Sequence, residues 1–163
     1  MDRTLAVVCG APGVGKSTVA RRAADRLDGS TLRTDVVRKE LFAEPTYSAS
    51  ETDAVYAQLR ERAADRLADG SVVLDGTFRT RDRRDRIARL AERTGAAFRL
   101  LVVRCDRTVV RDRLADREND PSDADFAIHR RIADRFEPPA REHVVVDNSG
   151  SLAETRARVD ELF

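Results

Sequence analysis

The chain has 163 residues, of which 30 are basic, 29 acidic and 41% hydrophobic, with a formal net charge of +1. That length is one domain, residues 1–163, with enough apolar material for a real core. No region is basic enough to demand a nucleic-acid partner, which leaves a local groove open, and no apolar run approaches the length of a membrane span.

The first element is the apolar strand Leu5–Cys9, followed by Gly10-Ala11-Pro12-Gly13-Val14-Gly15-Lys16-Ser17 and a helix over Lys16–Leu27. Asp28-Gly29 ends that helix, with Gly29 as its stop. Ser30–Thr34 reads as a second strand, Asp35 follows it, and Val36–Phe42 is a short helix. Pro45 and its polar neighbours make a loop of residues 43–49. Ser50 with Asp53 resembles a capping box. It opens a helix to about Ala68, with Val55, Leu59, Ala63 and Leu67 on one face.

Ser71–Asp75 is a buried-type strand ending in a carboxylate, and Gly76–Thr80 is a loop. Arg81–Arg93 is a charged helix burying Ile87, Leu90 and Ala91; Thr94-Gly95 stops it. Ala97–Arg104 is the fourth strand, and the helix Asp106–Arg117 buries Val109, Val110 and Leu114. After a break at 118–121, Ser122 and Asp125 cap a helix to Phe136. Val144–Val146 is the last strand, and Ser151 with Glu154 caps a terminal helix burying Leu152, Val159 and Leu162. Five apolar strands alternating with helices predict an α/β fold, a three-layer α/β/α arrangement around a five-stranded parallel sheet. Right-handed crossovers then bring Gly10, Asp35 and Asp75 to one sheet edge.

Residues 10–17 fill every position of G-x-x-x-x-G-K-[ST], in the strand–loop–helix context that the pattern requires. The glycines let the loop amides turn inward around the phosphates of a nucleotide. The helix N-terminus adds its positive dipole end. Lys16 places a full charge at the outer phosphates, and Ser17 offers a hydroxyl to Mg²⁺. Gly10 to Ser17, with Thr18, are therefore the expected nucleotide-binding residues, and ATP with Mg²⁺ the expected cofactors.

Phosphoryl transfer also needs positioning, charge neutralisation and a group to receive the acceptor's proton. Asp35, at a strand end, can orient an acceptor hydroxyl; the competing reading is a helix N-cap. Arg38, one turn on, can grip an anionic group on the acceptor, or be a solvated helix arginine. Asp75 is placed to support the Mg²⁺ beside Ser17. Gly76 follows it, not Glu, so the Asp-Glu pair of ATP-hydrolysing motors is absent. Arg113 and Arg117 share a helix face before the break at 118–121 and can fold over the phosphates, as a lid spanning about 113–125; Arg107 and Arg111 have similar geometry.

Cys9 and Cys105, with no signal peptide, read as reduced thiols of a cytoplasmic protein. His129 and His143 show no metal-ligand spacing and read as ordinary surface or core histidines.

Gly10 to Ser17, Asp35-Val36-Val37-Arg38, Val73-Leu74-Asp75-Gly76-Thr77 and Arg113-Leu114-Ala115-Asp116-Arg117 together resemble the small P-loop kinases. More narrowly, they are similar to the polynucleotide-kinase-like branch, which includes predicted ATP-binding kinases fused to or encoded near aminoglycoside-phosphotransferase-like proteins. The resemblance implies an adenylate-kinase-like sheet order of 2-3-1-4-5. It makes Asp35 the general base, Arg38 a grip on an acceptor phosphate, and Arg113 and Arg117 lid contacts to the donor. It also brings the loop Asp147-Asn148-Ser149-Gly150 near the base. The expected activity is an ATP-dependent kinase acting on a hydroxyl of a small molecule such as a nucleoside, sugar or antibiotic, with no obligate protein partner. The alternatives are a 5′-hydroxyl kinase of RNA or DNA ends and a regulatory P-loop ATPase.

Overall fold

The computed structural model describes residues 2–116 and 122–163. Arg117 and the break that follows it lie outside the described residues, as do the side chains of the Ser122–Asp125 cap. The elements are β1 Thr4–Cys9, α1 Lys16–Leu27, β2 Ser30–Arg33, α2 Thr34–Leu41, α3 Ala49–Leu67, β3 Val72–Asp75, α4 Arg81–Thr94, β4 Ala97–Arg104, α5 Arg107–Ala115, α6 Ser122–Arg135, β5 Val144–Asp147 and α7 Leu152–Asp160.

The five strands are all parallel, in the order β2-β3-β1-β4-β5. This is the expected three-layer α/β/α fold. Side chains alternate across a strand, so β1 feeds two cores. Leu5, Val7 and Cys9 pack with α3 and α4 through Leu59, Leu67, Ile87 and Leu90. Ala6 and Val8 pack with α1, α5 and α7 through Val19, Ala23, Val110 and Val159. Burial on both faces is why the inner strands β1 and β3 are apolar runs rather than polar alternations, while the edge strands β2 and β5 are only partly buried. Register also aligns the strand ends: Asp75 pairs with Val8 on one side and Arg33 on the other.

Four local expectations are corrected. α1 is ended by Asp28, which takes the left-handed conformation at φ 48°. Gly29 instead donates to the Ala24 carbonyl at 2.9 Å, and a Cβ on it would lie 2.6 Å from the Ser71 carbonyl; it is a glycine for close approach. The α3 cap is Ser48, whose Oγ accepts from the Glu51 amide at 3.2 Å, not Ser50 with Asp53. Glu51 also accepts from the amides of Thr46 and Tyr47 at 2.8 Å, which pulls the helix start towards Ser48. β2 stops at Arg33 and α2 begins at Thr34, so Asp35 sits in the helix's first turn. Leu152 is half exposed, because the inward face of α7 is carried by Thr155 and Val159.

Candidate active site

The carboxyl ends of β1, β2 and β3 converge on a cleft of about 450 Å³. The loop after β1 forms one wall. Gly15 caps α1 at φ 91°, and a Cβ there would lie 2.0 Å from the Asn148 amide nitrogen, so the position takes only glycine. Lys16, Ser17 and Thr18 open α1 and line the cleft from below. Burial pushes the Lys16 ammonium below the usual lysine range, opposed first by Asp75 and then by Asp35. Its Nζ donates to the Ala11 carbonyl at 3.1 Å.

Opposite stand the acids. Asp75 is buried, and its Oδ2 accepts from Ser17 Oγ at 2.7 Å. Hydroxyl and carboxylate oxygens side by side are the hard donors that Mg²⁺ takes, so the residues present fit the ion. Asp35 lines the same cleft with a largely exposed carboxylate. The α2 N-cap residue is Arg33, and no side chain hydrogen-bonds at that cap, so Asp35 does not act as the N-cap. Its charge still suits the first turn, where the helix dipole favours an acid.

Arg33 was not legible as a site residue. Its Nε lies 3.4 Å from Asp75 Oδ2 and its Nη2 3.9 Å from Asp35 Oδ2. It therefore stands between the two carboxylates and screens one from the other. The only signal in the sequence was its position at a strand end, beside Thr34-Asp35.

Arg38 does not line the cleft. It is buried, pairs with Glu51 Oε2 at 2.5 Å, donates to Thr52 Oγ1 at 3.3 Å, and lies 4.6 Å from the Tyr47 ring centroid. Its guanidinium ties α2 to the loop before α3. Of the α5 arginines, Arg113 lines the cleft and donates to the Gly150 carbonyl at 3.3 Å and to Cys105 Sγ at 3.5 Å. Arg107 pairs with Asp134 at 2.8 Å, and Arg111 stacks on Phe126.

Phe78, next to Thr77 of the cleft lining, does not itself line the cleft; it is fully buried in the left-handed conformation, at φ 43°. Tyr56 Oη accepts from its amide at 2.9 Å, and Arg84 donates to its carbonyl at 2.9 Å. His129 and Asn148 reach the nucleotide loop itself, at the carbonyls of Pro12 and Val14. His143 bonds the Arg141 carbonyl. Among the described residues, no helix is long and apolar enough to cross a membrane.

A family model, AAA_33, described as an AAA domain, matches residues 5–139. An uncharacterized protein of Mycobacterium tuberculosis is 36% identical over 146 residues, which is 80% of this chain and 29% of that protein. An uncharacterized protein of Mycobacterium bovis matches to the same extent. The chain thus spans under a third of the length of the curated relatives it matches. Among solved structures it is similar to the M. tuberculosis APS kinase CysC in complex with AMPPNP and APS, at 18% identity and TM-score 0.75, covering 99% of this chain and 98% of that one. It is similar to a gluconokinase from Sinorhizobium meliloti at 23% identity and TM-score 0.71, covering 98% and 94%. A sugar kinase from Janibacter is similar at 17% identity and TM-score 0.69, covering 97% and 92%. At these identities the likeness is one of fold: the fold of the P-loop kinases.

Proposed function

We propose a kinase function for this chain, which belongs to the AAA_33 family of AAA domains. It transfers the γ-phosphate of ATP to a hydroxyl of a small-molecule acceptor. The observation that carries the reading is the cleft that Asp35 shares with Lys16, Ser17 and Asp75. The gluconokinase and the sugar kinase among the similar structures support a small acceptor of this kind.

The geometry supports the following roles. The loop amides and the α1 N-terminus hold the phosphates. Lys16 neutralises charge on the transferring group, and Arg113 does so from the α5 side. A divalent cation held by Ser17 and Asp75 would supply further charge neutralisation at the outer phosphates. Asp35 accepts the proton of the acceptor hydroxyl as its oxygen attacks the γ-phosphorus and the bond to the bridging oxygen breaks. Arg33 holds the Asp35 and Asp75 carboxylates in one site by standing between them.

The nucleic-acid-end alternative leaned on Arg38 as a phosphate grip. Its guanidinium bonds to Glu51 and Thr52, which favours the small acceptor. The test is incubation with labelled ATP against a panel of nucleosides, sugars and aminoglycosides, and against oligonucleotides bearing 5′-hydroxyls. Label on a small acceptor supports the reading. Efficient labelling of oligonucleotide ends replaces it with the end-kinase reading. Steady ATP hydrolysis that no acceptor changes and Asp35→Asn leaves intact replaces it with a regulatory ATPase.

A further inference from the structure

A phosphate-binding loop surrounds an anion only when its amides face inward. In a trans peptide the N–H points opposite to the preceding carbonyl, and no cis peptide occurs among the described residues. The direction of the Gly13 and Gly15 amides is therefore set by where the Pro12 and Val14 carbonyls point.

Both carbonyls are held from outside the loop by buried side chains. His129 of α6, 3% exposed, places Nδ1 2.7 Å from the Pro12 carbonyl oxygen. A carbonyl only accepts, so the ring carries its proton on Nδ1. Phe126 stacks on the imidazole, with ring centroids 5.9 Å apart and planes 14° from parallel. His129 lines a separate hollow of about 280 Å³ with Gly10, Ala11 and Val14, not the nucleotide cleft, so it approaches the loop from behind. Asn148, in the turn after β5 and also buried, donates from Nδ2 to the Val14 carbonyl at 2.8 Å. Its Oδ1 accepts from Thr155 Oγ1 at 2.5 Å, and because the Val14 carbonyl only accepts, it is Nδ2 that faces the loop.

We propose that His129 and Asn148 are positioning residues of the phosphate site. They draw the Pro12 and Val14 carbonyls outward and so preset the Gly13 and Gly15 amides as an inward-facing cradle before the nucleotide arrives. The inference rests on the reading that this loop holds a triphosphate. Two parts of the chain far from the loop in sequence thereby act on phosphate affinity: the helix following the 117–121 segment, and the turn between β5 and α7.

The test uses the whole chain, with ATP and inorganic tripolyphosphate as calorimetric probes. His129→Leu and Asn148→Leu keep apolar volume and remove the donors. Each is expected to weaken both probes by the same factor, about tenfold. In the free protein, the order parameters of the Gly13 and Gly15 amides should fall. His129→Asn, which returns a donor near the position of Nδ1, should recover most of the affinity. Thr155→Val is the milder variant: it removes only the hydroxyl that orients Asn148, and should loosen Gly15 but not Gly13. Wild-type affinity for both probes in the two Leu variants, beside loss of binding in Lys16→Ala, overturns the proposal and leaves the nucleotide reading standing. If a Leu variant does not fold, unchanged affinity and unchanged Gly15 dynamics in Thr155→Val overturn the Asn148 half, and unchanged affinity in His129→Phe overturns the other. A wild-type protein that binds neither probe overturns the nucleotide reading and the proposal with it.

Discussion

Ser17 Oγ donates to Asp75 Oδ2 across 2.7 Å, joining the first turn of α1 to the end of β3. The contact follows from register: Asp75 lies beside Val8 in the parallel sheet, and the chain returns from β1 into α1 directly over that strand end. A hydroxyl and an acid from segments 58 residues apart thus form one oxygen-rich corner.

That corner predicts a metal-linked defect. Asp75→Asn keeps the shape but removes the charge that a divalent cation needs. Turnover should fall about 100-fold, and the Mg²⁺ concentration for half-maximal activity should rise. Coupled ADP-release assays across a Mg²⁺ series check both. Unchanged metal dependence would take Asp75 out of the metal site.

Asp35 should separate chemistry from binding. Asp35→Asn is expected to lower kcat by about 100-fold or more, with ATP affinity kept within about twofold because the change leaves the phosphate-holding amides and Lys16 in place. Calorimetry with ATP and initial rates on the acceptor found by the screen measure the two. Intact turnover would leave Asp35 a surface acid in the first turn of α2.

Arg84 predicts a stability effect away from the chemistry. It is 1% exposed, donates to the carbonyls of Phe78 and Glu137, and lies 5.0 Å from the Phe136 ring centroid. Burial holds its guanidinium below the usual arginine range. Arg84→Met fills the space but leaves both carbonyls unpaired, for a loss of about 2–4 kcal/mol. Thermal unfolding should shift down by about 5–15 °C.

Glu51 predicts a pH-dependent loop. Burial alone would raise its carboxyl; the amides of Thr46 and Tyr47, and then Arg38, outweigh burial and hold it below the ordinary value of 4.5. A carboxyl lowered by folding stabilises the fold above its unfolded value and loses that contribution as pH falls through the folded one. The loop of residues 43–48 should therefore loosen below pH 4.5 and be firm at neutral pH. Tyr47 and Tyr56 are the only tyrosines and there is no tryptophan, so in a Tyr56→Phe background tyrosine fluorescence reports on Tyr47 alone, stacked on Arg38. Glu51→Gln should show the loosened signal at every pH, and an unaltered pH profile in that variant would remove Glu51 from the effect.

The strands and the nucleotide loop were legible because both are written in short stretches of chain, whereas the sheet order was implied only by the resemblance to the small P-loop kinases. Apolar runs alternate with helical faces, and Gly10 to Ser17 is a contiguous pattern whose geometry is set by its own residue types. Helix starts were less legible. The α3 cap moved from Ser50 to Ser48 because Glu51 binds two loop amides that no spacing rule counts.

The sequence by itself determined that five strands alternating with helices would bring a phosphate-binding loop, Asp35 and Asp75 to one edge, since period and glycine placement are local properties. Tertiary structure alone decided what long side chains reach. Arg38 shares a helix turn with Asp35, yet its guanidinium goes to Glu51, while Arg33 takes the place between the acids. His129 and Asn148 meet the loop across 117 and 134 residues of chain. Spacing specifies the face on which a side chain starts; only packing brings a distant donor to a particular carbonyl.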